Sequence, residues 1–536
     1  MSDRDLSGRK VDAVVVGAGF GGMYMTHLLV QQGLSVQGFE RGDDVGGTWY
    51  WNRYPGCRCD VESMEYSYKF SDELQQEWEW SERYSPQPEI LAYANHVADR
   101  FDLRRHFAFQ ASVISATYDE VDKVWTVDTN TGTQVHARYL IMATGCLSAA
   151  NIPDFQGLTD FSGQTYHTGA WPKEGVDFTG QRVAVIGTGS SGIQSIPFIA
   201  EQAEHLTVFQ RTPNFSVPAR NKPLDPKLAA SIKADYGRFR ADAYQQPAAF
   251  GAHFPRREDS VLGASPEERD ARFEEYWGHG GFMFLSAFGD IGASPETNKF
   301  AADFVRKKIR EIVKDPKIAD ILCPDSIIGC KRLVADSGYF ETYNRPNVEL
   351  VDVSSSPIER FTDAGLNANG TEFEFDAVVF ATGFDAMTGA LLQIEIEGRD
   401  GLSLKDKWSA GPRTFLGLAS AGFPNLFMMT GPGSPSVLAN MVTGIEQHAE
   451  YIADAISWAD ERGVSSLEAE LDAENKWVEV VNMRSEATLY PQCNSWYLGA
   501  NVPGKPRVFM PFIGFPDYVA MADKVAAQGY EGFSKT

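Results

Sequence analysis

The sequence predicts an α/β fold in which one strand–turn–helix unit occurs twice, and three observations carry that prediction. Two glycine-rich runs of the same spacing stand far apart: Gly17-Ala18-Gly19-Phe20-Gly21-Gly22 and Gly187-Thr188-Gly189-Ser190-Ser191-Gly192. Each comes after a short apolar run, residues 11–16 and 183–186, and each opens a helix-like segment. Later in the chain, each has a further apolar run ending in Ala-Thr-Gly: residues 139–142 before Ala143-Thr144-Gly145, and 377–380 before Ala381-Thr382-Gly383. Buried parallel strands read as continuous apolar runs. A glycine turn that opens a helix brings a pyrophosphate to free backbone N–H groups. The expected architecture is two Rossmann-like dinucleotide-binding domains.

The two units differ just downstream. The strand after the first turn, residues 35–39, ends in Glu40. A carboxylate there accepts hydrogen bonds from a ribose diol. The strand after the second, residues 206–209, leads to Arg211 and Thr212. An arginine there suits a 2′-phosphate. The pair of sites therefore reads as one for FAD and one for NADPH.

The bulk numbers are those of a globular protein: 536 residues, 43% hydrophobic and 22% charged. That length allows two to four domains. A formal net charge of -24 argues against nucleic-acid and anionic-membrane partners, which favour basic surfaces. Residues 1–10 are polar and lack an apolar signal region, and no apolar run is long enough to cross a bilayer, so a cytoplasmic location is expected. Six cysteines in a chain of this length do not suggest a disulfide framework. Cys57 and Cys59, spaced C-x-C with no His/Cys cluster nearby, read as neither metal ligands nor a redox pair.

Between about 221 and 325 the strands give way to helical periodicity. Ser265-Pro266-Glu267-Glu268 reads as a capped helix start, residues 300–312 as an amphipathic helix, and 245–261, polar and proline-containing, as a mobile loop. Further helices are expected near 439–458 and 472–486. The chain accordingly divides into an FAD-binding domain (1–145 and 385–536), an NADP-binding domain (146–220 and 326–384), and a helical insertion in the latter (221–325).

Between the two turns lies Phe161-Ser162-Gly163-Gln164-Thr165-Tyr166-His167-Thr168-Gly169-Ala170-Trp171-Pro172. It matches the F-x-G-x-x-x-H-x-x-x-W-P signature of type I Baeyer–Villiger monooxygenases at every fixed position. Gly46-Gly47-Thr48-Trp49, Tyr54-Pro55-Gly56 and Asp60 match a second pattern of that family. The chain resembles the family end to end, in particular its phenylacetone and steroid monooxygenase branch. The resemblance implies an NADPH- and O2-dependent enzyme that sets one oxygen beside a ketone carbonyl to give an ester or lactone, through a C4a-peroxyflavin stabilised by an arginine and by retained NADP+.

Carried over residue by residue, the resemblance makes Arg332 the catalytic arginine and Asp60 the carboxylate that orients it. A fixed cation is chemically apt, because arginine stays protonated at any working pH. Lys331 matches a contact to the 2′-phosphate, and Trp496 a contact to NADP. Thr48, Trp49, Tyr50 and Trp51 fall along the flavin, as does Met441. Arg58, Tyr66 and Val113 join the cofactor contacts. Cys146, Ser436, Val437 and Leu438 are expected to line the ketone pocket, Cys146 as a small apolar filler. His167 reads as a structural or hinge residue, since no nucleophile or carboxylate adjoins it in the sequence.

An N- or S-oxygenating flavin monooxygenase shares the two-nucleotide plan but lacks the Trp171-Pro172 end of the signature and the Arg332 context. A disulfide reductase would need a redox C-x-x-C pair. A non-enzymatic flavoprotein would have no use for two intact nucleotide sites beside Arg332 and Asp60.

Overall fold

The computed structural model describes residues 8–536. Residues 1–7, most of the polar N-terminal stretch, lie outside it. Strand Arg9–Val16 lies between Val36–Phe39 and Gln134–Met142, parallel to both. Val16 is level with Phe39 on one side and Met142 on the other. The three strands therefore stop at one edge, and Gly17, Glu40 and Ala143 emerge side by side. The sheet has eight strands, and two come from late in the chain: Glu395–Glu397 pairs with Val113–Asp119, and Leu426–Met428 with Gln134–Met142.

A second sheet of five strands, all parallel, runs in the order Val348–Asp352, His205–Gln210, Arg182–Ile186, Ala377–Phe380, Gln164–His167. Here Ile186 is level with Phe209 and Phe380, and Phe380 with His167. The same alignment thus recurs, with Gly187 and Ala381 at the common edge. The Phe161–Pro172 signature supplies the edge strand of this sheet. Ligands of open α/β sheets bind beyond the carboxyl ends of the strands, and both sheets present such an edge.

No strand occurs between Ser216–Pro218 and Val334–Asp336. Helices fill the interval, among them Pro266–His279, which carries the complete Ser265/Glu268 capping box, and Pro295–Ile312. The latter begins before the expected Phe300 because Ser294 accepts a hydrogen bond from the Thr297 N–H and Pro295 takes the first helical position. Met441–Glu461 and Leu471–Glu486 stand where helices were expected. One apolar core runs through both sheets and the insertion, with Val15, Val185, Phe284 and Ile452 among its fully buried members. No helix among the described residues is long and apolar enough to cross a membrane.

Two expectations are corrected. The cysteines gave no sign of pairing, yet Cys330 and Cys493 form a disulfide with Cα atoms 6.2 Å apart. The partners are 163 residues apart, so local spacing carried no signal. Residues 245–261, read as a mobile loop, are largely irregular but held at several points. Gly251 N–H donates to Glu65 Oε1 at 2.7 Å, and His253 Nε2 lies 3.0 Å from Glu62 Oε2. Ala248 O accepts from Asn440 N–H at 2.8 Å, and the Phe254 ring stacks on His279 at 3.6 Å.

The charges at this anchor set its pH dependence. Burial pushes the Glu65 carboxyl up to about 7, with Glu62 adding to the rise and His253 and Arg240 opposing it. Burial also works against the His253 imidazolium, but Glu62 and Glu65 outweigh burial and the Arg83 cation, and its pKa ends above 6.5. Both groups hold protons more tightly folded than unfolded, so their contribution is complete below the unfolded values and is lost as pH rises through the folded ones. Amide exchange at 248–255, corrected for intrinsic rate, is expected to accelerate as pH rises from about 6 to about 8.5. Glu65→Gln, which mimics the protonated acid, should flatten part of that rise; a profile identical to wild type would contradict the assignment.

Candidate cofactor cavity and active site

The two glycine turns share one construction. Gly17 has φ +105° and Gly187 φ +110°, in the left-handed region that side chains disfavour. A Cβ at Gly17 would stand 2.5 Å from Ala143 O, and one at Gly187 would stand 2.5 Å from Ala381 O. The two Ala-Thr-Gly runs thus supply the carbonyl on which each turn rests. At the last glycine of each run, Cβ atoms on Gly22 and Gly192 would fall 1.7 and 2.3 Å from Gly17 O and Gly187 O. The middle glycine of the second turn, Gly189, has open space where its Cβ would be. Helices Phe20–Gln31 and Ser190–Gln202 start at these turns without side-chain caps, leaving their first N–H groups for an anion.

Both turns open into one cavity of about 1740 Å³. Ordinary small-molecule sites measure roughly 300–1,000 Å³, so this one has room for two large ligands. At one end Glu40 is buried, its carboxylate accepting from Ala18 N–H and Gly42 N–H, both at 2.7 Å. A carboxylate has about four acceptor sites, which leaves capacity for a ribose diol. At the other end stand Arg211, Thr212 and Lys331. Burial, and after it the Arg211 cation, pushes the Lys331 ammonium below its usual pKa, against Asp325. Two cations that disfavour each other in a cleft suit a phosphate dianion. By donor set and by shape, the two ends fit FAD and NADPH respectively.

Arg332 lies between them. Its Nε donates to Asp60 Oδ2 at 2.8 Å and its Nη2 to Asp60 Oδ1 at 2.7 Å, a bidentate pair across 272 residues. Its Nη1 donates to Val437 O at 2.9 Å. Three of a guanidinium's five N–H donors are engaged in this way, and the side chain keeps 26% of its exposure. Burial works against the charge, but Asp60 more than offsets it and raises the pKa further. The Phe282 ring, from the helical insertion, covers the guanidinium at 4.9 Å. Asn214 Nδ2 donates to Arg332 O at 3.3 Å and fixes its backbone. Neither Phe282 nor Asn214 carried a signal in the sequence.

The remaining predicted residues divide. Gly19, Gly21, Thr48, Trp49, Trp51, Arg58, Asp60, Tyr66, Val113, Cys146, Val437, Met441 and Trp496 line the cavity, as do Gly17, Glu40, Thr188, Ser190 and Ser191. Tyr50 does not: its hydroxyl donates to Asp43 Oδ1 at 2.7 Å. Ser436 and Leu438 are also off the wall; Ser436 Oγ donates to Thr430 O at 3.0 Å, so only the middle residue of that turn faces the cavity. Gly22 and Gly192 serve from behind, through their close approaches to Gly17 O and Gly187 O. His167 Nδ1 accepts from Gly169 N–H at 2.9 Å, and burial lowers its pKa, which keeps it neutral. It joins the edge strand to the next turn and does not line the cavity.

Residues 9–217 match the family described as flavin-binding monooxygenase-like. A Baeyer–Villiger monooxygenase of Pseudooceanicola batsensis is 45% identical over 98% of this chain and 96% of its own length. A phenazine N-monooxygenase of Lysobacter antibioticus is 42% identical over 97% of this chain and 96% of its own. Among solved structures, an oxidised steroid monooxygenase bound to NADP shares 53% identity at a TM-score of 0.93, covering 98% of this chain and 99% of that one.

The turns are separable by mutation. Gly22→Ala drives a methyl into Gly17 O and should yield protein depleted in flavin, read from the ratio of visible to ultraviolet absorbance. Gly192→Ala should retain flavin and bind NADP+ at least ~10-fold more weakly, a change of about 1.4 kcal/mol. Equal flavin loss in both variants would show that the turns do not serve separate nucleotides.

Proposed function

Because this chain belongs to the Baeyer–Villiger monooxygenases, we propose that it uses NADPH and O2 to insert one oxygen atom next to a ketone carbonyl, giving an ester or lactone. The overall balance is ketone, NADPH, a proton and O2 to ester, NADP+ and water. The observation that carries the site assignment is the Arg332–Asp60 pair between the two nucleotide ends of one cavity, with guanidinium donors to spare.

FAD would lie along the Gly17 turn with its ribose diol at Glu40, beside Thr48, Trp49 and Trp51. NADPH would lie along the Gly187 turn with its 2′-phosphate between Arg211, Thr212 and Lys331, and Trp496 against it. A flavin held there would supply the acceptor for the nicotinamide hydride and the route for its electrons to O2. Arg332 then presents a fixed positive charge where negative charge develops. Asp60 and Phe282 hold that charge in place beforehand, so little reorganisation is needed at the moment of reaction. Val437 and Cys146 offer apolar wall to the ketone.

The kinship to a phenazine N-monooxygenase favours N-oxygenation as a second reading. The electronics separate the two. A ketone is an electrophile and needs an anionic partner, which a neighbouring guanidinium stabilises; an amine is a nucleophile and needs a neutral one. Arg332 favours the ketone. We further propose a cytoplasmic enzyme built of an FAD-binding domain, 1–145 with 385–536, and an NADP-binding domain, 146–220 with 326–384, around a helical insertion at 221–325. The two late strands in the first sheet support that plan.

Arg332→Ala is expected to lower ketone oxygenation by ~100- to 1,000-fold, while anaerobic reduction of the flavin by NADPH, monitored by stopped flow, stays near wild type. Oxygenation at the wild-type rate would remove Arg332 from the mechanism. Arg211→Ala should raise KM for NADPH by ~10- to 100-fold, or about 1.4–2.8 kcal/mol, and leave KM for NADH unchanged. Wild-type enzyme that used NADH as well as NADPH would refute the 2′-phosphate site. A panel of ketones and N-heterocyclic amines with product identification decides between ester and N-oxide.

A further inference from the structure

Cys330 directly precedes Lys331 and Arg332, and Cys493 stands three residues before Trp496. Their Cα separation of 6.2 Å is within the range a disulfide spans. Both residues line the cofactor cavity, so a small oxidant or reductant in that cavity reaches them. Cys57, Cys59, Cys146 and Cys323 are free thiols, and the first three are buried.

The segment that bears Cys493 has little regular structure to hold it. Between helices Leu471–Glu486 and Phe515–Ala527 it has two short turns, Tyr490–Gln492 and Trp496–Leu498. Its hydrogen bonds to the rest of the molecule lie further along: Asn501 Nδ2 donates to Phe384 O at 2.8 Å, Lys505 Nζ to Ala386 O at 2.7 Å, Gly433 N–H to Met510 O and Phe512 N–H to Ser434 O, both at 2.7 Å. None of these is made by residues 493–496, where the covalent link to the Arg332 turn acts.

We propose that Cys330 and Cys493 are a reversible dithiol–disulfide site that governs how firmly the Trp496 segment closes on the NADP end of the cavity. The oxidant is a peroxide. One thiolate attacks the peroxide oxygen and becomes a sulfenic acid, with loss of water. The second thiol attacks that sulfur and expels a second water, so two thiols and hydrogen peroxide become one disulfide and two waters. A dithiol reverses the step by exchange and leaves as its own cyclic disulfide. Hydrogen peroxide is what an O2-reducing flavoenzyme releases when turnover fails to reach substrate, so the enzyme's own leakage would close the tether.

The inference rests on the reading of Lys331 and Trp496 as NADP contacts, and its test does not use turnover. Holoenzyme is treated with hydrogen peroxide or with dithiothreitol. Non-reducing digestion and mass spectrometry then locate the link, and NADP+ affinity is measured by equilibrium dialysis. The expected result is a peptide joining Cys330 to Cys493 in the oxidised sample alone. NADP+ should bind about 3- to 10-fold more tightly to the oxidised enzyme, because a pre-ordered loop loses less freedom on binding. Cys493→Ser should have one affinity under both treatments. Absence of the linked peptide overturns the proposal, and so does a link that leaves NADP+ affinity unchanged. Failure of the catalytic reading would appear separately, as loss of ketone oxygenation with the link and its effect on affinity intact.

Discussion

Everything about the cavity depends on one ion pair. Arg332 and Asp60 arrive from opposite halves of the chain and meet through two parallel hydrogen bonds of 2.8 and 2.7 Å. A guanidinium with 26% of its side chain exposed is only partly solvated. Removing the carboxylate from beneath such a group would leave a partly desolvated charge without its partner. The pair therefore fixes the relative position of the two nucleotide ends as well as the charge between them. Phe282 on the face and Asn214 on the backbone complete a seat that allows the guanidinium little movement.

The two sheets build their ends by one steric rule. Each sets one strand level with its two neighbours, so that a glycine and an alanine carbonyl touch at the edge. A side chain on either glycine would collide with that carbonyl at 2.5 Å. The rule leaves the chemistry at each end free to differ. Glu40 at one end accepts hydrogen bonds; Arg211 and Lys331 at the other supply positive charge, and burial first, then the Arg211 cation, lowers the Lys331 pKa.

Local features were legible in the sequence and distant ones were not. Residues 183–186 appeared as an apolar run closed by glycine, and the strand is Arg182–Ile186. The repeat of Ala-Thr-Gly was visible too, but its purpose, a carbonyl beneath each glycine turn, exists only once the strands are aligned. Helix Pro295–Ile312 begins ahead of its apolar period, because the Ser294 cap and Pro295, not the first apolar residue, set its first turn. Polarity and proline made 245–261 read as loose, whereas Glu62 and Glu65, far away in the sequence, anchor it. Cys330 with Cys493, and Phe282 over Arg332, are contacts between segments whose separation no local pattern encodes. Arg332 and Asp60 were brought together by family resemblance alone.

The third hydrogen bond of Arg332 ties the ion pair to the cavity wall. Its Nη1 is held by the carbonyl of Val437, in the 3-10 turn Ser436–Leu438 whose middle residue faces the cavity. The residue that faces the cavity is therefore also the one whose backbone anchors the cation. Any side chain placed at 437 that shifted the turn would change what Nη1 donates to, so the shape of the apolar wall and the aim of the charge are not independent properties of this chain.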